Sequence, residues 1–233
     1  MFRSRLSIGV RYNSSLATSA QLVERLARTS VRAALAKTAG EVPKSESVEN
    51  ALATAIEAEA GNVRWVQELL NKTEGGGYIV PEAGLLNHNI FWGDMDTFSH
   101  VNNVMYLKWF ETARVNLFGI YGKRYPHFNE FMSGKGVGPI IRSCELAWRY
   151  PITFPDTITV VHKVEPLTQK DRFSLKGVVV SHNARKVAAR ISEIIVTVDY
   201  ANGGVKAPIP DNVRSVLESR LELQRELAPA EDQ

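Results

Sequence analysis

The chain has 233 residues, a formal charge of +3 and an apolar fraction of 44%, values that suit one domain with extensions around a single hydrophobic core. No run of about 18 apolar residues occurs, so no segment reads as a membrane span. The small charge, much of it in the first 40 residues, gives no nucleic-acid footprint. A lone Cys144 excludes an intrachain disulfide and a cysteine-based zinc cage.

Residues 1–23 carry Arg3, Arg5 and Arg11 among many Ser and Ala, and no acidic residue precedes Glu24. This is the composition of a mitochondrial transit peptide. On a helix Phe2, Leu6 and Val10 would share one face, and residues 11–15 suit a peptidase cleavage region. The competing reading is a basic tail with no address. The expected location is the mitochondrial matrix.

Residues 24–77 read as a helical arm. Apolar residues recur at steps of three or four in three series: Leu22, Val23 and Leu26; then Val48, Leu52 and Ile56; then Val63, Val66, Leu69 and Leu70. Pro43 and Gly61 divide the series. Gly75, Gly76 and Gly77 form a flexible break, where the sequence places a domain boundary. The arm is either a solvated tether or a docking element for a partner in a mitochondrial assembly. Trp65 favours docking, because an exposed Trp is enriched at interfaces.

Residues 78–210 change pattern to one strand, one long helix and four strands. The first strand falls in the later half of residues 78–92, and the helix spans 102–121, with Val104, Leu107, Phe110, Val115 and Phe118 as its apolar stripe. Gly119 and Gly122 are available to stop it. Strands follow over 137–150, 157–167, 172–181 and 186–200. The third alternates Ile158, Val160, His162, Val164, and the fifth carries the β-branched run Ile194 to Val198. Residues 211–233 form a C-terminal helical tail. One long helix with consecutive antiparallel strands predicts an α+β arrangement in which a curved sheet wraps the helix. Five strands leave sheet edges open, which predicts a homodimer or homotetramer.

The informative stretch runs from Trp92 through Asp94, Asp96, Phe98, Ser99, His100, Val101, Asn102 and Asn103 into Tyr106, Trp109, Glu111 and Arg114. It resembles the 4-hydroxybenzoyl-CoA thioesterase family, in which a D-x-D-x-x-G-H-V-N-N run is followed by Y-x-x-x-x-E-x-A-R. Residues 106–114 match the second half at every defining position, and the resemblance spans about 86–210. It implies the hotdog fold and an acyl-CoA thioesterase acting on acyl-CoA with no metal and no cofactor.

Attack on a thioester carbonyl places negative charge on oxygen, and unpaired amides at a helix N-terminus stabilise that charge. The resemblance assigns this to the amide of Asn103, with Asn102, Val101 and His100 as neighbouring oxyanion or substrate-binding positions. It makes Asp96 the carboxylate that attacks the carbonyl or takes a proton from water. Read from the residues alone, Asp96 is equally a loop or capping residue. Asp94 reads as a loop brace and Asn102 as the helix cap. His100 either polarises substrate or is a satisfied turn residue. Glu111 and Arg114, three apart on one helical face, read as an ion pair within or between subunits, and Glu111 is the second-choice carboxylate. Phe98 either lines an acyl pocket or packs under the sheet. Lys108, Lys135, Arg142 and Arg149 are available to CoA phosphates or form a solvated face.

The chain departs from the family at Ser99, where the pattern has Gly. Glycine there allows positive φ, and Ser costs about 1 kcal/mol in such a backbone. A remodelled, inactive loop is therefore one reading. It leads to the alternative function, a non-catalytic hotdog subunit of a larger mitochondrial assembly.

Overall fold

The computed structural model describes residues 46–228, with side chains described from residue 57. The leader, residues 24–45 and the last five residues lie outside that span. The order of elements is α1 (Glu46–Thr73), β1 (Leu85–Asn89), α2 (Asn103–Arg124), α3 (Pro126–Phe131), β2 (Val137–Trp148), β3 (Thr157–Val164), β4 (Arg172–Ser181), β5 (Lys186–Asp199), β6 (Val205–Lys206) and α4 (Asp211–Leu227). The strands form one sheet in the order β1-β3-β4-β5-β2, with β6 against β5 and every pairing antiparallel. This is the α+β hotdog fold, a curled sheet wrapped round α2.

Alternation along the strands creates two apolar faces. On the inner face, Ile158, Val160, Val179, Ala189 and Ile191 meet Tyr106, Trp109, Phe110 and Ala113 of α2. Further along the helix, Leu117, Phe118 and Tyr121 meet Val164, Phe173, Leu175 and Ile195, and the cluster is closed by Phe128 and Phe131 of α3 and by Val213, Val216 and Leu217 of α4. The buried face of α2 is thus centred on its aromatic residues. The predicted stripe is only partly right: Phe110 and Phe118 are buried, but Val104, Leu107 and Val115 are exposed. The helix has apolar residues on two sides, and the larger ones win the core because they bury more area.

The outer face is the main departure from expectation. Val63, Val66 and Leu70 of α1 pack on Val161, Val178 and Val180 of the sheet, together with Tyr78, Ile79, Val80 and Leu227. Each such side chain contributes about 2 kcal/mol on burial. Helix α1 runs through Gly61 without a break. Trp65 is only half-buried, but its contacts are internal: its Nε1 donates to Asn62 Oδ1 (3.1 Å), its ring meets His182 edge-on at 5.0 Å, and Arg185 lies over it. Beyond α1, Glu74 makes a two-pronged pair with Arg190 of β5 at 2.7 and 2.6 Å. Gly75, Gly76 and Gly77 all take positive φ and turn the chain back so that Tyr78 reaches the same cluster. The described part of the arm is therefore a layer of the fold.

Gly84 has a different task. A Cβ there would sit 1.8 Å from the Ala113 carbonyl oxygen, so only glycine lets the chain cross α2 on its way into β1. Asn116 Nδ2 ties the crossing by donating to the Gly84 carbonyl (2.8 Å). Helix α2 passes through Gly119 and Gly122, the residues expected to stop it, and ends at Arg124 before Pro126, which cannot continue it.

Leu70 is fully buried under the outer face. Leu70→Ala is expected to destabilise the protein by about 2–5 kcal/mol, the usual cost of emptying a buried leucine site. Urea unfolding measures it, and a loss below about 0.5 kcal/mol, the level of an ordinary surface change, would show that α1 is a tether.

Candidate active site

The loop before α2 is a tight hairpin. Met95 bridges to Val101, the Asp96 N–H donates to the His100 carbonyl (3.0 Å) and the Ser99 N–H donates to the Asp96 carbonyl (3.1 Å). Ser99 has φ +62°. A turn followed by one left-handed residue is the three-residue hairpin with a bulge, whose last position favours glycine. Ser99 occupies that position and keeps its backbone conformation, so the loop is not remodelled as one reading of the sequence anticipated.

The hairpin is braced on both sides. Asp94 Oδ2 accepts the Phe91 N–H (2.9 Å), and the Asp94 carbonyl accepts the Asn102 N–H (2.9 Å). Opposite, the Val101 N–H donates to the Ile152 carbonyl (2.8 Å) and the Ile152 N–H to the Tyr106 hydroxyl (3.2 Å). Burial raises the Tyr106 pKa, which keeps this brace a neutral phenol. The loop at Ile152 thus clamps both the hairpin and the first turn of α2.

These bonds sort the amides that the sequence proposed. Val101 is spent on Ile152, and its side chain is buried. Asn102 is spent on Asp94, and its Oδ1 caps the helix by accepting the Val104 N–H (3.0 Å). Neither amide is open to a substrate. The Asn103 N–H, first in the helix, has no acceptor among the described residues. It points along the helix axis with the positive end of the dipole behind it.

Asp96 and His100 stand beside it. Asp96 Oδ1 accepts the Phe98 N–H (2.8 Å), which fixes the carboxylate and leaves Oδ2 open. Oδ2 lies 3.8 Å from His100 Nδ1. That nitrogen is also 3.2 Å from the Val101 carbonyl, which can only accept, so this contact calls for a proton on Nδ1. Phe98 stacks on the His100 ring at 6.2 Å and is 78% exposed; it neither packs under the sheet nor lines a closed pocket.

Glu111 and Arg114 do not pair with each other. Arg114 turns inward to a buried ion pair with Glu193 of β5, and Glu193 Oε2 lies 3.5 Å from His162 Nε2. Both Glu193 and His162 are buried. Two residues 79 positions apart carry no local signal, so this pair was beyond a reading of the sequence. Glu111 is exposed and borders a cavity of about 340 Å³ between α2 and β2, formed with Arg114, Val115, Phe118, Ile140, Ile141 and Ile195 among others. Lys108, Lys135, Arg142 and Arg149 are all exposed, and their side chains make no ion pair among the described residues. Among those residues no group of three or more His, Cys, Asp or Glu could hold a metal ion, and no helix is long and apolar enough to cross a membrane.

The sequence profile of the thioesterase-like superfamily matches residues 90–217, more than half of the chain and the span that contains this site. The chain belongs to the thioesterase-like superfamily. Among solved structures, this thioesterase-like chain is similar to a thioesterase from Thermus thermophilus complexed with coenzyme A and Zn, at 22% identity over 64% of this chain and 98% of that one, with a TM-score of 0.49. It is also similar to a DHNA-CoA thioesterase from Staphylococcus aureus, at 16% identity over 59% of this chain and 87% of that one, with a TM-score of 0.48. No curated protein matches the chain.

Because Ser99 holds a positive φ, Ser99→Gly is expected to stabilise this thioesterase-like chain by about 1 kcal/mol, through relief of the left-handed strain. Paired denaturant melts of wild type and variant measure the gain; a loss of stability would mean that the serine side chain holds the hairpin.

Proposed function

We propose that the protein is an acyl-CoA thioesterase whose reaction is centred on Asp96 and the Asn103 amide. The observation that carries this reading is the juxtaposition of one unpartnered helix-start N–H with one oriented carboxylate oxygen, inside a family named for thioester chemistry. The thioester carbonyl oxygen accepts from the Asn103 N–H. Asp96 Oδ2 then attacks the carbonyl carbon, or takes a proton from a water that attacks it. Charge on the oxygen grows against the amide and the helix dipole. Collapse breaks the C–S bond and releases CoA thiolate, a leaving group that needs little acid assistance; where Asp96 itself attacks, water then cleaves the acyl–Asp96 anhydride to the free acid and restores the carboxylate. His100, next to Asp96, is placed to hold the water.

Glu111 is the rival carboxylate. It lies eight residues beyond Asn103 on the helix, about 12 Å along the axis at the α-helical rise. Within one protomer it does not reach a carbonyl held by the Asn103 amide. Asp96→Asn keeps the size of the side chain and its Phe98 hydrogen bond while removing the charge. It is expected to lower hydrolysis by about 10²–10⁴, the usual worth of a general base, with folding unchanged by circular dichroism. Full activity in Asp96→Asn together with loss in Glu111→Gln would move the role to the helix.

The protein is further proposed to work in the mitochondrial matrix, on the strength of its acid-free, Arg- and Ser-rich first 23 residues. A fluorescent fusion of the full chain is expected in mitochondria, and one without residues 1–23 outside them; import of the shortened fusion would refute the address. We also propose a homodimer or larger homo-oligomer. Among the described residues strand β2 is paired only with β5 and most of its residues are exposed, an edge that a second copy would satisfy. The alternative is a non-catalytic subunit of a mitochondrial assembly, suggested by Ser99 and the arm. It loses ground because Ser99 keeps the hairpin turn and α1 spends its apolar face on its own sheet.

A further inference from the structure

The exposed side of α2 is not an ordinary solvated face. Val104, Leu107, Glu111 and Val115 follow one another at steps of three and four, so they lie on one side of the helix, and buried Phe118 carries the series on into the core. Val104, Leu107 and Val115 are 70%, 45% and 50% exposed. This track begins one residue after the free Asn103 amide. It ends in the cavity of about 340 Å³ where Val115 and Phe118 face Ile140 and Ile141 of β2, within the roughly 300–1,000 Å³ of small-molecule sites. Arg114 also borders that cavity, but its charge is turned inward and answered by Glu193. What it shows the cavity is largely a stem.

We infer that this track and cavity bind the acyl chain, and that the substrate is an acyl-CoA with a long, unbranched alkyl chain; this rests on the thioesterase reading above. The length follows from geometry. The near edge of the cavity, Glu111, is eight residues from the amide and the far edge, Phe118, is fifteen, or about 12 and 22 Å along the axis. An extended chain advances about 1.2 Å per bond, so the terminal methyl enters the cavity for chains of about 10 to 18 carbons. Shorter acyl groups stop on the open track and leave the cavity empty. Glu111 lies beside the path, and its exposure lets the carboxylate stay in water.

The test is a series of straight-chain acyl-CoAs from 4 to 18 carbons, hydrolysed by the full chain and by Ile141→Trp and Val115→Phe, which fill the cavity from opposite walls. For wild type, kcat/KM is expected to rise by up to about fourfold per added methylene and to peak between about 10 and 18 carbons. Both variants are expected to move the peak several carbons shorter, with folding unchanged by circular dichroism. Equilibrium binding of palmitoyl-CoA, followed by calorimetry, is expected to weaken at least tenfold in both. A peak that stays in place in both variants would overturn the inference, as would a wild-type preference for chains of six carbons or fewer. A change in sedimentation from dimer to monomer without a shift in peak would assign the groove to contact between copies. Palmitoyl-CoA that binds wild type but not the variants, with no hydrolysis of any ester, would sink the thioesterase reading and keep the alkyl site. Absence of both binding and hydrolysis would sink both.

Discussion

A helix wrapped by a single curled sheet is enclosed on one side only, and most of this protein follows from that. The sheet takes the aromatic side of α2, where Tyr106, Trp109, Phe110 and Phe118 fill the inner face. The other side has to look outward between β2 and the loop before the helix. The open amide at the start of α2, the apolar track behind it and the unpaired edge of β2 all lie on that outward side. The proposed reaction would thus take place where the domain's own sheet leaves its helix uncovered.

The inner face is not uniformly apolar, and its polar centre bears on the site. Arg114 and Glu193 neutralise each other beneath α2, with His162 alongside. A buried ion pair of this kind contributes little net stability over apolar residues, but removing one partner costs about 3–5 kcal/mol, because the other charge is left without compensation. The pair also fixes which side of α2 faces in. An α2 turned by a third of a revolution would carry a guanidinium out of reach of its carboxylate. This restricts where on the rim of the helix start the Asn103 amide sits.

Much of the fold could be read from the sequence because its signals are local. The alternation in β3 and the β-branched run in β5 gave strands within a few residues of those observed, and the motif from Asp94 to Arg114 gave the order of loop and helix. What escaped notice depends on contacts between distant segments. Helix α2 has two apolar sides, and nothing local decides that Val104, Leu107 and Val115 lose the core to Trp109 and Tyr106. Helix α3 is six residues long and opens on Pro126, too short for periodicity to register. The partner of Arg114 lies on another strand, and Trp65 found its neighbours at His182 and Arg185, more than a hundred residues away. At the site, the sequence placed Asp96, His100 and Asn103 in one loop. It could not separate the open amide of Asn103 from the occupied ones of Val101 and Asn102, since that depends on Ile152 and Asp94 accepting the others.

The layer that α1 lays over the sheet reaches beyond stability. Beneath it lie Val178 and Val180 of β4, with Val161 beside them on β3. Uncovered, these valines leave an uncharged, β-branched patch on the outer face of the sheet, the composition that recruits strands from other chains. Helix α1 is local and forms early by the general rule that short-range contacts precede long-range pairing. Its residues are also made before the strands they protect. The chain therefore emerges with the cover ahead of the surface it shields, and a shortened chain beginning at Tyr78 would expose β3 and β4 with no cover to hand. Position along the polypeptide thus serves here as a safeguard against association during synthesis.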